Sequence, residues 1–135
     1  MKVSFTGTRS GMSAWQKQQL EKFFLDHRGE ISVFAHGACM GADVEAHYLA
    51  RKILGKSVFI AIFPSTAKTR VRVLNFDFEA KPMKPLERDQ EIVKLGCDVL
   101  LAAPLQMNEA LRSGTWSTIR YAKKKKVRVE IFWRE

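Results

Sequence analysis

The sequence predicts a doubly wound, three-layer α/β sandwich built on a mainly parallel sheet of about five strands. Three observations carry this prediction. Short apolar runs alternate with amphipathic helical segments along the whole 135 residues. No two-residue hairpin signature joins neighbouring runs, so the connections are crossovers of the kind that parallel pairing needs. Most runs break into a loop carrying glycine or proline, where a strand in such a sheet hands over to a helix.

Lys2 to Thr6, carrying Val3 and Phe5, reads as the first strand and is ended by Thr6-Gly7-Thr8-Arg9-Ser10-Gly11. Ser13-Ala14-Trp15-Gln16 has the form of a capping box, opening a helix with Leu20, Phe23 and Phe24 on one face that ends near Arg28-Gly29. Ile31 to Ala35 is a short buried strand, and His36-Gly37-Ala38-Cys39-Met40-Gly41 leads into a helix from Ala42 to Leu54, with Gly55 as its C′ residue. Ser57 to Phe63 is a continuous apolar run stopped by Pro64, as in a strand covered on both faces. Residues 65 to 85 lose the pattern in a basic and aromatic stretch, read as a long functional loop with room for one short strand or helical turn. Helical spacing resumes from Leu86 to Leu95, Asp98 to Ala103 is a fourth strand, and residues 104 to 113 form a loop. Ser113-Gly114-Thr115 opens the last helix, through about Lys125, and Val127 to Trp133 is the fifth strand.

With 46% hydrophobic and 27% charged residues the chain is expected to be one globular domain over residues 1–135. No run approaches the roughly eighteen apolar residues of a membrane span. The N-terminus has no signal-peptide pattern, and Cys39 and Cys97 show neither a metal-ligand spacing nor a disulfide framework; a cytoplasmic protein is expected. The net charge of +9 favours anionic partners, phosphorylated ligands or nucleic acid, although solubility alone explains such a charge equally well.

Anion binding is written most strongly at His36-Gly-Ala-Cys-Met-Gly41-Ala-Asp43. Two glycines before a helix let backbone amides approach a phosphate, and a tight turn is the competing reading. Arg112-Ser113-Gly114-Thr115-Trp116-Ser117-Thr118 precedes another helix, with hydroxyls that suit either phosphate or simple capping. Arg9 and Arg88 offer bidentate donors, with a surface ion pair of Arg88 to Glu87 or Glu91 as the alternative. Asp43 and Glu45 are candidate bases or ribose acceptors, Glu45 more simply a complement to the helix dipole. Trp116 stacks on a base or packs in the core. His36 and His47, with no third ligand nearby, make no metal site, and His47 reads as a packed side chain. The lysines 123 to 126 complement the end of a helix.

These motifs resemble the SLOG superfamily, which joins DprA (Smf)-like proteins with the Lonely-guy (LOG) phosphoribohydrolases. Gly37-Ala-Cys-Met-Gly41-Ala-Asp43-Val-Glu-Ala-His47 and Ser113-Gly114-Thr115-Trp-Ser-Thr118-Ile-Arg120-Tyr-Ala122 resemble the two DprA motifs. Gly7-Thr8-Arg9 resembles the superfamily's Gly-Ser-Arg, and Arg88 matches an arginine before the fourth strand. The resemblance implies a Rossmann-like nucleotide pocket lined by Gly7, Arg9, Gly37, Gly41, Arg88, Ser113, Gly114 and Thr115 and supported by Asp43 and Thr118; Thr8, His36 and Trp116 beside these motifs complete the expected ligand-binding residues.

LOG enzymes carry a catalytic glutamate in their second motif, where this chain has Ile119 and Arg120. A cation there cannot assist N-glycosidic cleavage as a carboxylate does. Asp43 and Glu45 are the carboxylates available to substitute for it, and Arg88 and Asp43 are the catalytic candidates. The expectation is therefore a sensor or binding module for a nucleotide or nucleotide-derived ligand. It is expected to need no cofactor and no metal, and to contact no membrane. The alternatives are a LOG-like phosphoribohydrolase and a DprA-like single-stranded DNA binder. The resemblance also allows a homodimer, with Phe132-Trp133 as an exposed apolar edge.

Overall fold

The computed structural model describes residues 1–109 and 113–135. Its elements are β1 (Lys2–Gly7), α1 (Ala14–Asp26), β2 (Val33–His36), α2 (Ala42–Leu54), β3 (Phe59–Ile62), β4 (Phe78–Glu79), α3 (Pro85–Lys94), β5 (Val99–Ala103), α4 (Gly114–Lys124) and β6 (Arg128–Ile131). Among the described residues the sheet has six strands in the order β4-β3-β2-β1-β5-β6, every neighbouring pair parallel. Helices α1 and α2 pack together on one face, and α3 and α4 on the other. The strand order therefore reverses beside β1. The chain steps outward through β2 and β3 on one side of β1, and β5 then returns to its other side.

The sixth strand is β4, two exposed residues inside the 65–85 stretch, where the sequence left room for one short strand or helical turn. No sequence period can announce a strand that short. Side chains of α2 hold the stretch in place instead. His47 and Tyr48 bind the backbone of Leu74, and the guanidinium of Arg51 binds the carbonyl of Asn75 and the carboxylate of Asp77. Asp77 in turn accepts from the amide of Ile60 at 2.8 Å, which seats β4 against β3.

The buried strands are apolar almost throughout because both faces are covered: β5 is Val-Leu-Leu-Ala-Ala, wholly buried. The main core joins β1 to β3 with α1 and α2 through Phe5, Leu20, Phe24, Phe34 and Ile60. The capping box of α1 is formed, with Ser13 Oγ accepting from the amide of Gln16 at 3.1 Å and Gln16 Oε1 from that of Ser13 at 3.0 Å. Gln16 is also fully buried, and its Nε2 donates to the carbonyls of Pro104 and Phe132, which ties α1 to the ends of β5 and β6. Phe132, expected at an exposed edge, is buried, and the ring of Trp133 lies tilted beside that of Trp116 with centroids 6.1 Å apart. No helix of the described residues is long and apolar enough to cross a membrane.

Candidate functional site

Where the strand order reverses, the loops leaving β1 and β5 diverge to opposite faces and open a crevice beyond their carboxyl ends. A cleft of about 550 Å³ occupies this place. Thr8, Arg9 and Ser10 line it from the loop after β1, Cys39 and Asp43 from the β2–α2 connection, Arg88 and Asp89 from α3, and Ser113, Gly114 and Thr115 from the start of α4. Loops after three different strands thus meet around one space. Arg112 lies outside the described residues.

The glycine segment before α2 does not present an empty phosphate nest. Asp43, in the first turn of α2, accepts the amides of Gly37 and Cys39 on Oδ2, both at 3.2 Å. The carbonyl of Thr8 accepts the amide of Ala42 at 3.0 Å, so the loop after β1 plugs the start of the helix. Gly41, at φ +86°, allows this plug: a Cβ there would stand 2.4 Å from the carbonyl oxygen of Arg9. A Cβ on Gly37 would stand 2.3 Å from Arg88 Nη1. These glycines admit protein groups, a carbonyl pair and a guanidinium, and neither Gly37 nor Gly41 lines the cleft. Gly7 does line it, with its Cα packed on the side chain of Ala42.

Arg88 is buried and makes no surface pair with Glu87 or Glu91. Its Nε donates to Asp89 Oδ1 at 2.9 Å, and Nη1 donates to the carbonyls of Gly37 at 2.6 Å and Phe63 at 3.4 Å. Asp89, which sequence reasoning passed over, joins it on the cleft wall; its spacing of one residue from Arg88 resembles no ligand motif, and only the fold brings both inward. Burial pushes the Asp89 carboxyl above the usual range, against the pull of Arg88. Asp43 is raised further, to about 6, because burial outweighs Arg88 and the two amides. Its Oδ1 is buried with no hydrogen-bond partner.

Other predicted residues fall outside the cleft. His36 is fully buried, with Nδ1 accepting the amide of Ala38 and Nε2 standing 2.8 Å from His47 Nδ1. Trp116 packs with Ala102 and Ile119 in the core under α4, which removes it as a stacking platform. Thr118 is buried and turns its hydroxyl back to the carbonyl of Gly114. Glu45 does more than answer the helix dipole: it accepts from the amide of Met12 at 2.7 Å and pairs with Lys17 at 2.9 Å, holding the loop after β1. Arg120 pairs with Glu109 at 3.0 Å. Burial and the nearby Asp43 carboxylate raise the Cys39 thiol above its ordinary range, which disfavours a thiolate at the cleft.

Among the described residues, no group plugs the start of α4, which faces the cleft. Ser113 Oγ caps the amide of Trp116, while the amides of Gly114 and Thr115 precede the first intrahelical acceptor. With exposed Arg9 and Ser10 across from them, the rim is rich in donors and the floor, with Asp43 and Asp89, in acceptors.

The fold has close structural counterparts. The molybdenum cofactor binding protein from Rippkaea orientalis superposes with a TM-score of 0.73 at 17% identity, over 100% of this chain and 78% of that one. The DNA processing protein A of Helicobacter pylori, described in its single-stranded DNA binding mode, superposes with a TM-score of 0.66 at 19% identity, over 97% of this chain and 64% of its own length. Both likenesses are of fold, the Rossmann-like α/β arrangement. Neither a protein-family model nor a curated protein sequence matches the chain.

Proposed function

We propose that the cleft binds a nucleotide or nucleotide-derived phosphorylated ligand, and that the protein acts as a sensor or binding module of the SLOG type. The observation that carries this reading is the start of α4, unplugged by any described residue, at the point where the strand order reverses and lining one cleft with Arg9 and Ser10. The phosphate seat moves accordingly. It lies on Ser113, Gly114 and Thr115 with Thr8, Arg9 and Ser10, because Asp43 and the Thr8 carbonyl already fill the glycine segment before α2. Arg88 orders the floor and meets the ligand through Nη2, which has no hydrogen-bond partner among the described residues. The structural neighbours, one a cofactor binder and one a binder of single-stranded DNA, support a ligand-binding role for this fold.

The second reading, single-stranded DNA binding, draws on the Helicobacter pylori neighbour and on the net charge of +9. Thermal-shift screening against nucleotides, ADP-ribose compounds and a short single-stranded oligonucleotide, followed by chromatography of each mixture, separates the readings. Stabilisation by a nucleotide that stays intact, weakened in Arg9→Ala, is the expected result. Release of free base reveals a hydrolase, and stabilisation by the oligonucleotide alone, abolished by salt, reveals a nucleic-acid binder.

A further inference from the structure

The floor of the cleft is chemically unlike its rim. The guanidinium of Arg88 stands among groups that largely satisfy it: the Asp89 carboxylate and the carbonyls of Gly37 and Phe63. Asp43 has committed Oδ2 to two backbone amides and leaves Oδ1 buried without a partner, in a residue only 5% exposed. Asp89 has committed Oδ1 to Arg88, and its Oδ2 lies beside the start of α4, 3.7 Å from where a Cβ on Gly114 would stand. Two carboxylates against one guanidinium leave the floor short of positive charge. A phosphate placed there meets repulsion, whereas a hydroxyl finds acceptors waiting.

We propose that Asp43, Arg88 and Asp89 form a sugar-diol subsite, which takes the vicinal hydroxyls of a pentose phosphate while its phosphate rests on the start of α4. This deepens the reading of the cleft as a phosphorylated-nucleoside site and rests on it. Two acceptors around one remaining donor, Nη2 of Arg88, match a pair of hydroxyls that donate twice and accept once. Asp89 Oδ2 borders the phosphate seat, 3.7 Å from where a Cβ on Gly114 would stand, and the part of a nucleotide joined to its phosphate through one methylene is the sugar. The stranded Oδ1 of Asp43 supplies selectivity, since a ligand without the hydroxyl leaves a buried acceptor unanswered.

The test is titration of the ¹⁵N-labelled full chain with AMP and GMP, each against its 2′,3′-dideoxy counterpart, and with inorganic phosphate. The expected result is that the ribonucleotides bind at least about tenfold tighter than the dideoxy forms, as for hydrogen bonds to charged groups. In Asp43→Asn the ratio falls toward one, because the side chain keeps an oxygen for the Gly37 and Cys39 amides and turns its NH₂ toward the sugar. Asp89→Asn provides the same test if the first variant fails to fold. Equal binding of ribo and dideoxy forms by the wild type, or a full ratio retained in both variants, overturns the diol subsite and leaves the phosphate seat standing. No response of the Ser10, Gly114 and Thr115 amides to any of these compounds overturns the phosphate seat and the subsite together.

Discussion

His36 Nε2 stands 2.8 Å from His47 Nδ1, and the two rings are one link in a chain with a single direction. His47 Nε2 lies 2.6 Å from the carbonyl of Leu74 and must carry a hydrogen, so its Nδ1 accepts and His36 Nε2 donates. His36 Nδ1 is then bare and accepts the amide of Ala38, a residue at φ +51°. Both rings are neutral, and the chain connects the loop after β2 to the segment that bears β4.

Burial first, then the neighbouring His47 and Arg88, hold the His36 imidazole down to about 3. A depressed imidazole contributes stability that is complete above its unfolded value near 6.5 and is lost as pH falls toward 3. His36→Asn is expected to destabilise the protein at pH 7.5, and the penalty to shrink by about 2 kcal/mol at pH 5. Urea denaturation of both proteins at the two pH values measures it. The comparison between proteins matters, because Asp43, raised to about 6, shifts with the opposite sign over the same interval in each. An unchanged penalty means that His36 is charged in the folded state.

Arg88→Met is expected to cost about 3–5 kcal/mol at pH 7.5, since it leaves two buried carboxylates without their cation. Asp43 and Asp89 are already raised by burial, and without Arg88 they rise further. A raised carboxylate favours the folded state below its unfolded value and loses that contribution as pH climbs through the folded one. The penalty is therefore smaller at pH 5 than at pH 7.5. A penalty independent of pH, measured by thermal or urea melts, contradicts the buried triad.

Gly41→Ala combines a left-handed backbone with a Cβ driven into the carbonyls of Arg9 and Thr8. The neighbouring atoms are backbone and cannot swing away. A loss of about 2–4 kcal/mol is expected in denaturant melts, with hydrogen exchange quickened at the Ala42 amide that Thr8 now holds. Stability within a few tenths of a kcal/mol of wild type excludes the plug.

Trp116→Ala is expected to cost about 3–5 kcal/mol, the loss of a buried aromatic in the core beneath α4. Trp116→Phe costs much less, because the indole Nε1 is buried without a partner and its removal strands nothing. Nucleotide affinity of the phenylalanine variant stays within about twofold of wild type. A large affinity loss at unchanged melting temperature returns Trp116 to the ligand.

Periodicity and punctuation were enough for the architecture. The alternation of apolar runs with capped helices yields a parallel, doubly wound sheet, and the Ser13–Gln16 box marks the first turn of α1 to the residue, because those signals are local and the hydrogen bonds that answer them lie within one turn. Thr8, Arg9, Asp43 and the start of α4 were legible beside strand ends and Arg88 in the helix before the fourth predicted strand, and the fold brings them to one cleft. What each group does there was decided by packing across the chain. A glycine before a helix reads the same whether it admits a phosphate, the carbonyl of Arg9 or the guanidinium of Arg88. Which one stands opposite depends on contacts 32 and 51 residues away in sequence. The same holds for Trp116, turned into the core, for Asp89, turned into the cleft, and for β4, held by Arg51 and Asp77 rather than by any pattern of its own. Sequence by itself determines which groups a helix or strand can present; the tertiary structure decides which are already satisfied by the protein and which remain for a ligand, because hydrogen bonding and burial are settled only when distant segments meet.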